Sequence, residues 1–396
     1  MVRATIATDL KISFLLPTRN RLEYLKLAVE TVRRQDCPDW EIVISDNDSS
    51  EDIAGYTASL EDDRIVYRRT SHFLPVTDNW NAALAHSSGD YVLMLGDDDG
   101  LLPGYVMRMC DAVERFSEPD VIYTGALLFT YPGVDPHHPE GFLAPNTYAK
   151  FFEEATEPFV LPHERAVAAV REAMNFNLAF NFNMQLSLLS RRLIERVQTR
   201  GEFFQSPFPD YYATCAAFVE ATRIIADPRP HVVIGVTPKS YGFFHVNKRE
   251  QEGRAFLQAD QTSAPDLPGT NINDGWLGAT EALAASYGAE YGLRVHRRRY
   301  RLLQAADVYT RRFRGSASQD EIIELEAQLA PVERTLYRSA HLLARILVRV
   351  LPSTLWTRVA ARATSQFPEW RPARREGLYA NVLEVFERES IEQVRG

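Results

Sequence analysis

GDYVLMLGDDDG, residues 89–100, is the stretch from which the fold can be read. Residues 91–95 are apolar without a break, as in a strand buried on both faces. Three aspartates follow at once, so this strand delivers a carboxylate cluster at its carboxyl end. The neighbouring apolar runs end in the same way. Residues 11–17 read as a short strand stopped by Pro17, and Thr18-Arg19-Asn20-Arg21 follow. Residues 41–45 are short and β-branched, and Asp46-Asn47-Asp48 follow. Further strands are predicted at 64–68 and 121–124. Between them lie helical patterns. Leu22, Leu25, Ala28, Val29 and Val32 recur at helical spacing within 21–35. Residues 49–59 open on Ser49 and Ser50 as caps, with Glu51 and Asp52 suited to the positive end. Residues 77–87 and 104–116 complete the set. Alternation of this kind predicts an α/β protein with a mostly parallel sheet flanked by helices. Such sheets bind ligands outside the carboxyl ends of their strands, where the three polar clusters converge.

Composition bounds the function. The chain has 396 residues, 45% of them hydrophobic and 24% charged, ordinary for a globular protein with room for two domains. A net charge of -9 excludes a general nucleic-acid binder, which needs a basic field. Cys37, Cys110 and Cys215 are widely spaced, which suits a reducing compartment. The first apolar run is too short for a signal peptide, and no window of about 18 apolar residues exists. The expectation is a cytoplasmic protein, with peripheral contact to the inner face of the membrane left open.

The chemistry starts from Asp97, Asp98 and Asp99. In extended backbone, residues i and i+2 share a side, so Asp97 and Asp99 are expected to face one site and Asp98 to face away. Crowded carboxylates repel, and a hard divalent cation, Mn²⁺ or Mg²⁺, relieves the cost. The alternative is a solvated acidic turn.

Three stretches, SFLLPTRNR (13–21), EIVISDNDSSED (41–52) and NWNAALAHSSGDYVLMLGDDDGL (79–101), resemble the successive motifs of family 2 glycosyltransferases of the GT-A fold. The resemblance covers residues 11–130 clearly and 180–248 weakly. It implies an inverting enzyme that uses a nucleotide-diphosphate sugar and a divalent metal. The first and last acids of the family's DxD motif match Asp97 and Asp99, the last meeting the metal. The acid after strand two, here Asp46, would hold the nucleobase edge. The donor-binding set implied is Pro17, Thr18, Arg21, Asp46, Asp48, Asn81, Asp97 and Asp98. This chain departs from the family in having Leu95-Gly96-Asp97 before the last acid and Asp46-Asn47-Asp48-Ser49 after strand two. Trp80 stands where an arginine is common, so the pyrophosphate's cation passes to Arg21 or to the metal.

Inversion needs a base on the acceptor side, usually a carboxylate. Asp210, in SPFPDYY (206–212), matches the family's acid at the head of a helix. A helix N-terminus would keep it ionised. The alternative is an aspartate that only caps the helix. His245, in YGFFHVNK (241–248), resembles a downstream histidine that completes the metal shell in some GT-A enzymes. The alternative is a packed aromatic-strand histidine. The aromatic stretches 176–185 and 201–212 suit an acceptor groove or the core.

The expected organisation is a catalytic domain over 1–250, with a donor half to about 130 and an acceptor half from 131 to 250. A linker or lid over 251–275 and a helical region over 276–396 follow. Helices are predicted over 276–313, 319–351 and 376–393. Arg334, Arg338, Arg345 and Arg349 form one helical stripe, opposite Leu336, Leu343, Leu347 and Val350. That helix either packs on protein, including a second copy of the chain in a homo-oligomer, or lies on anionic lipid. The function expected is transfer of a sugar from a nucleotide-diphosphate donor to a saccharide or lipid-linked saccharide hydroxyl. The rivals are a nucleotidyltransferase-like enzyme, which PTRNR disfavours by lacking a glycine-rich loop, and a noncatalytic nucleotide-sugar-binding or scaffold protein.

Overall fold

The computed structural model describes residues 10–205, 207–240, 243, 267–350 and 374–389. At its centre β1 (Ile12–Thr18) lies between β2 (Trp40–Asp46) and β4 (Tyr91–Met94), and β3 (Ile65–Arg69) follows β2. All three pairings are parallel. The central strands are buried on both faces, as unbroken apolar runs require. Register aligns Thr18 with Asp46 and Leu15 with Met94, so the turns after the three strands open on one rim. Helices α1 (Leu22–Arg33), α2 (Ile53–Ser59) and α3 (Val76–Ala85) make the return crossings. The cap of α2 is Asp52, which accepts from Gly55 N at 2.8 Å. Ser49 is not available for it: its N–H goes to Asp46 Oδ1 and its hydroxyl accepts from Asn20 N.

Beyond β4 the sheet becomes mixed. The chain passes through β5 (Gly100–Leu101), α4 (Tyr105–Arg115), β6 (Val121–Thr130), β7 (Phe142–Pro145), β8 (Phe159–Leu161) and α5 (His163–Met174). Then come β9 (Ser187–Ser190), α6 (Arg191–Gln198), α7 (Pro209–Glu220) and β10 (Ile224–Val236). β9 inserts antiparallel between β4 and β6. β10 runs parallel to β6 with shifts of register around Pro230, and antiparallel to β5 and β8. β7 lies in a stretch rich in proline and glycine, residues 131–147, and pairs antiparallel with β6.

The two long helices expected near the C-terminus are four. α8 (Asn271–Tyr291) and α9 (Arg297–Arg314) end at the left-handed glycines Gly292 and Gly315. α10 (Gln319–Gln328) is followed by α11 (Pro331–Val350), with proline at its first position. α8 belongs to the core: Trp276 packs against Phe176, Phe182 and Tyr211, ring centroids 5.4–5.6 Å apart. The chain finally returns to the sheet. β11 (Arg375–Glu376) pairs with β7, and α12 (Val382–Arg388), shorter than expected, buries Val382 and Val385 against Tyr131, Leu127 and Val233.

Candidate active site

Strand β4 ends at Met94, so the three aspartates stand on a turn and strand alternation does not govern them. Asp97 Oδ2 accepts from the Thr18 hydroxyl at 2.7 Å and Oδ1 from Arg21 at 2.6 Å. Asp98 shares the same guanidinium at 3.6 Å and accepts from the Thr237 hydroxyl at 3.2 Å. Asp99 is turned under β10. It accepts from Gly235 N at 2.8 Å, Gly96 N at 3.0 Å and the Gln185 amide at 2.5 Å. The pairing expected from the pleat is therefore corrected: Asp97 and Asp98 face Arg21 together, and Asp99 faces the sheet.

Two glycines make this turn possible. A Cβ at Gly96 would stand 2.4 Å from the Asp99 carboxylate, and one at Gly235 would stand 1.9 Å from the Asp98 carbonyl oxygen. The departure at Gly96 is thus the residue that lets Asp99 fold back. All three aspartates are at most 7% exposed. Burial pushes Asp98 up to about 6 although Arg21 draws it down. Burial and then the neighbouring Asp98 push Asp99 up to about 8. The cluster carries more negative charge than its surroundings neutralise.

The other rim turns are knitted together. Asp46 is fully buried and gives one oxygen to Ser49 N at 2.9 Å and the other to Tyr67 OH at 2.7 Å. The more open acid of that turn is Asp48, paired with Arg69 at 3.0 Å. Asn20 Oδ1 accepts from Ser50 N, tying the β1 and β2 turns. Pro17 is half-buried at the end of β1. Asn81 gives its amide to both backbone groups of Phe204, at 2.9 and 3.1 Å, and Trp80 meets the Phe204 ring. This pair joins α3 to the segment that leads into α7.

Sequence reasoning missed Arg19. Its guanidinium lies over the Phe73 ring at 4.3 Å, and its Nε is buried without a hydrogen-bond partner. Among the described residues it makes no ion pair with a carboxylate, whereas Arg21 is held by Asp97 and Asp98. The signal was in PTRNR itself, where two arginines flank one asparagine on the rim.

Asp210 does stand in the first turn of α7, behind Pro209. Burial of its surroundings pushes the carboxyl up to about 7 against the helix N-terminus, although the residue itself is only half-buried. One turn further on, the Thr214 hydroxyl donates to Phe182 O, and three residues past Phe182 the Gln185 amide reaches Asp99. Residues 182–185 therefore join the head of α7 to the acidic turn. Of the aromatic stretches, Phe176, Phe180, Phe203 and Tyr211 are fully buried core, while Phe208 is half-buried. His245 lies outside the described residues.

Among the described residues no three side chains of the metal-ligating kinds converge. Mg²⁺ and similar ions need only one or two carboxylates when phosphates and water complete the shell. Oxygen donors carrying unneutralised charge fit that requirement, and Asp97 and Asp98 are the two that share Arg21.

The fold and this rim define an α/β protein with an acidic turn where parallel strands end. Residues 13–170 match the model of glycosyl transferase family 2. The chain is 38% identical over 97 residues to a GalNAc(5)-diNAcBac-PP-undecaprenol beta-1,3-glucosyltransferase of Campylobacter jejuni, covering 24% of this chain and 31% of that one. It is 37% identical over 95 residues to the abequosyltransferase RfbV of Salmonella typhimurium, covering 23% and 28%. The chain thus spans about a third of the length of these relatives. A crystal structure of S. aureus TarS 1-349 superposes with a TM-score of 0.48 at 15% identity, covering 83% of this chain and 92% of that one.

Proposed function

We propose that the protein is an inverting glycosyltransferase that moves a sugar from a nucleotide-diphosphate donor to a saccharide hydroxyl, with a lipid-linked saccharide as the acceptor class. The observation that carries the reading is the meeting of Asp97 and Asp98 with Thr18 and Arg21 at the ends of parallel strands. The family match over residues 13–170 and the undecaprenol-linked substrate in the name of the Campylobacter relative support it.

In this reading Asp97 and Asp98 would hold Mn²⁺ or Mg²⁺, which would supply positive charge to the leaving diphosphate. Asp99 sets the shape of the turn. Arg19, stacked on Phe73 and without a carboxylate partner among the described residues, is the rim cation for the diphosphate. Asp48 stays with the donor side, and Asp46 holds the turn on which Asp48 stands. Asn81 positions the 201–208 segment. Asp210 takes the proton of the acceptor hydroxyl as its oxygen bonds to the anomeric carbon. The bond to the diphosphate breaks with its electron pair on the leaving oxygen, so the configuration inverts.

The test is incubation of the purified protein with a panel of nucleotide sugars and Mn²⁺, reading free nucleoside diphosphate. Slow hydrolysis of one or two donors is expected. Release from none, together with no calorimetric binding of any nucleoside diphosphate, would reject the assignment.

A further inference from the structure

We propose that the outer face of α11 seats the protein on an anionic lipid surface. Five large apolar side chains of this helix point outward: Val332 is 80% exposed, Leu336 61%, Leu342 60%, Leu343 55% and Ile346 51%. At 100° per residue they occupy a stripe of about 120°, with Arg338 and Arg345 along one border. The opposite side is already committed. Tyr337 stacks on Tyr309 at 5.7 Å and His341 packs against Tyr309 and Phe313, while Arg338 at the border also reaches Glu326. The helix is therefore docked on α9 and α10 by one face and leaves the apolar face without a protein partner among the described residues. Isolated exposed leucines need no explanation, but a continuous stripe does.

Charge selects the occupant. After Glu333 the sequence of α11 carries four arginines and no aspartate or glutamate, in a chain whose net charge is -9. A second copy docked on this face would bring like charges together. An anionic bilayer complements them, with leucine and isoleucine entering the headgroup boundary and arginine reaching phosphate. No described helix is long and apolar enough to cross a membrane, and Arg338 and Arg345 break the apolar run, so the helix would lie in the interfacial plane.

The test uses the full chain and no nucleotide sugar, so its outcome is separate from that of the catalytic assignment. The protein is sedimented at low salt with vesicles of phosphatidylglycerol and phosphatidylcholine, and with phosphatidylcholine alone. Sedimentation with the anionic vesicles is expected, with loss at high salt. Leu343→Glu with Ile346→Glu should abolish it at an unchanged thermal midpoint, because both side chains are exposed. Absence of binding to anionic vesicles, or equal binding to neutral ones, would overturn the proposal. So would a concentration-dependent dimer dispersed by the same two substitutions, which would assign the face to a second copy.

Discussion

Asp210 stands where a helix N-terminus favours negative charge, yet burial pushes its carboxyl up to about 7 from an ordinary 3.8. A base near neutrality is matched to proton abstraction from a hydroxyl at physiological pH. The same shift has a cost in stability. Between about pH 4 and pH 7 the folded chain holds a proton that the unfolded chain has lost, so stability falls as pH rises through that window and levels off above it. Transfer should rise over the same window, because only the ionised form is a base. Asp210→Asn should flatten both profiles, raise Tm relative to wild type at pH 8, and lower transfer by about 10²-fold or more with donor binding retained. Thermal unfolding at pH 5 and 8 beside transfer rates checks this; transfer within a few-fold of wild type would leave Asp210 a structural residue of the first turn of α7. The acidic turn makes a second case. Asp98→Asn should remove the Mn²⁺ enhancement of nucleoside diphosphate binding while leaving Tm almost unchanged. Asp99→Asn should lower Tm, because Asp99 accepts two backbone N–H groups and an amide. Calorimetric titration with and without Mn²⁺, paired with thermal melts, separates them, and a reversed pattern would restore Asp99 as the metal-side acid.

At the scale of elements, β1 to β4 and their helices were legible because each carries a complete local signal: an unbroken apolar run, a helical stripe, a cap. What was not legible depends on partners distant in sequence. β7 has four residues and β11 two, and each becomes a strand through pairing with an edge. The acidic turn was misread because the strand was extended past Met94, whereas β10 crowds Asp98 through Gly235 and bends the chain there. The tail matters to that turn. Val382 N donates to Tyr131 OH at 3.4 Å, and the Tyr131 ring also stands 3.4 Å from where a Gly235 Cβ would be. Val382 lies 3.4 Å from the corresponding point on Gly100, directly after Asp99. Val382→Ala and Val385→Ala remove fully buried side chains and should each cost about 2 kcal/mol. Hydrogen exchange should then quicken at the amides of residues 97–101 before it does in β1. Unchanged exchange there would show that the tail merely covers the sheet edge.

At the scale of the whole molecule, the contacts of α8 decide whether the helical region is an appendage or part of the catalytic unit. Trp276 is 1% exposed and meets Phe176, Phe182 and, at the head of α7, Tyr211. Arg200 ties the end of α6 to Glu290 at 2.6 Å and lies over the Tyr287 ring at 4.7 Å. Asp210 is the residue before Tyr211, so α8 packs on the turn of α7 that carries the raised carboxyl. A shared core of this kind predicts one cooperative transition rather than two. Trp276→Ala should destabilise the protein by about 3–5 kcal/mol, the range for losing a buried aromatic. It should also lower the pH midpoint of transfer, because a looser α7 head admits water to Asp210. Denaturant unfolding followed by tryptophan fluorescence and by far-ultraviolet circular dichroism should give coincident curves for wild type. Separate curves, with Trp276→Ala shifting only one and leaving the pH profile in place, would make the helices an independent unit and return the tuning of Asp210 to α7 alone.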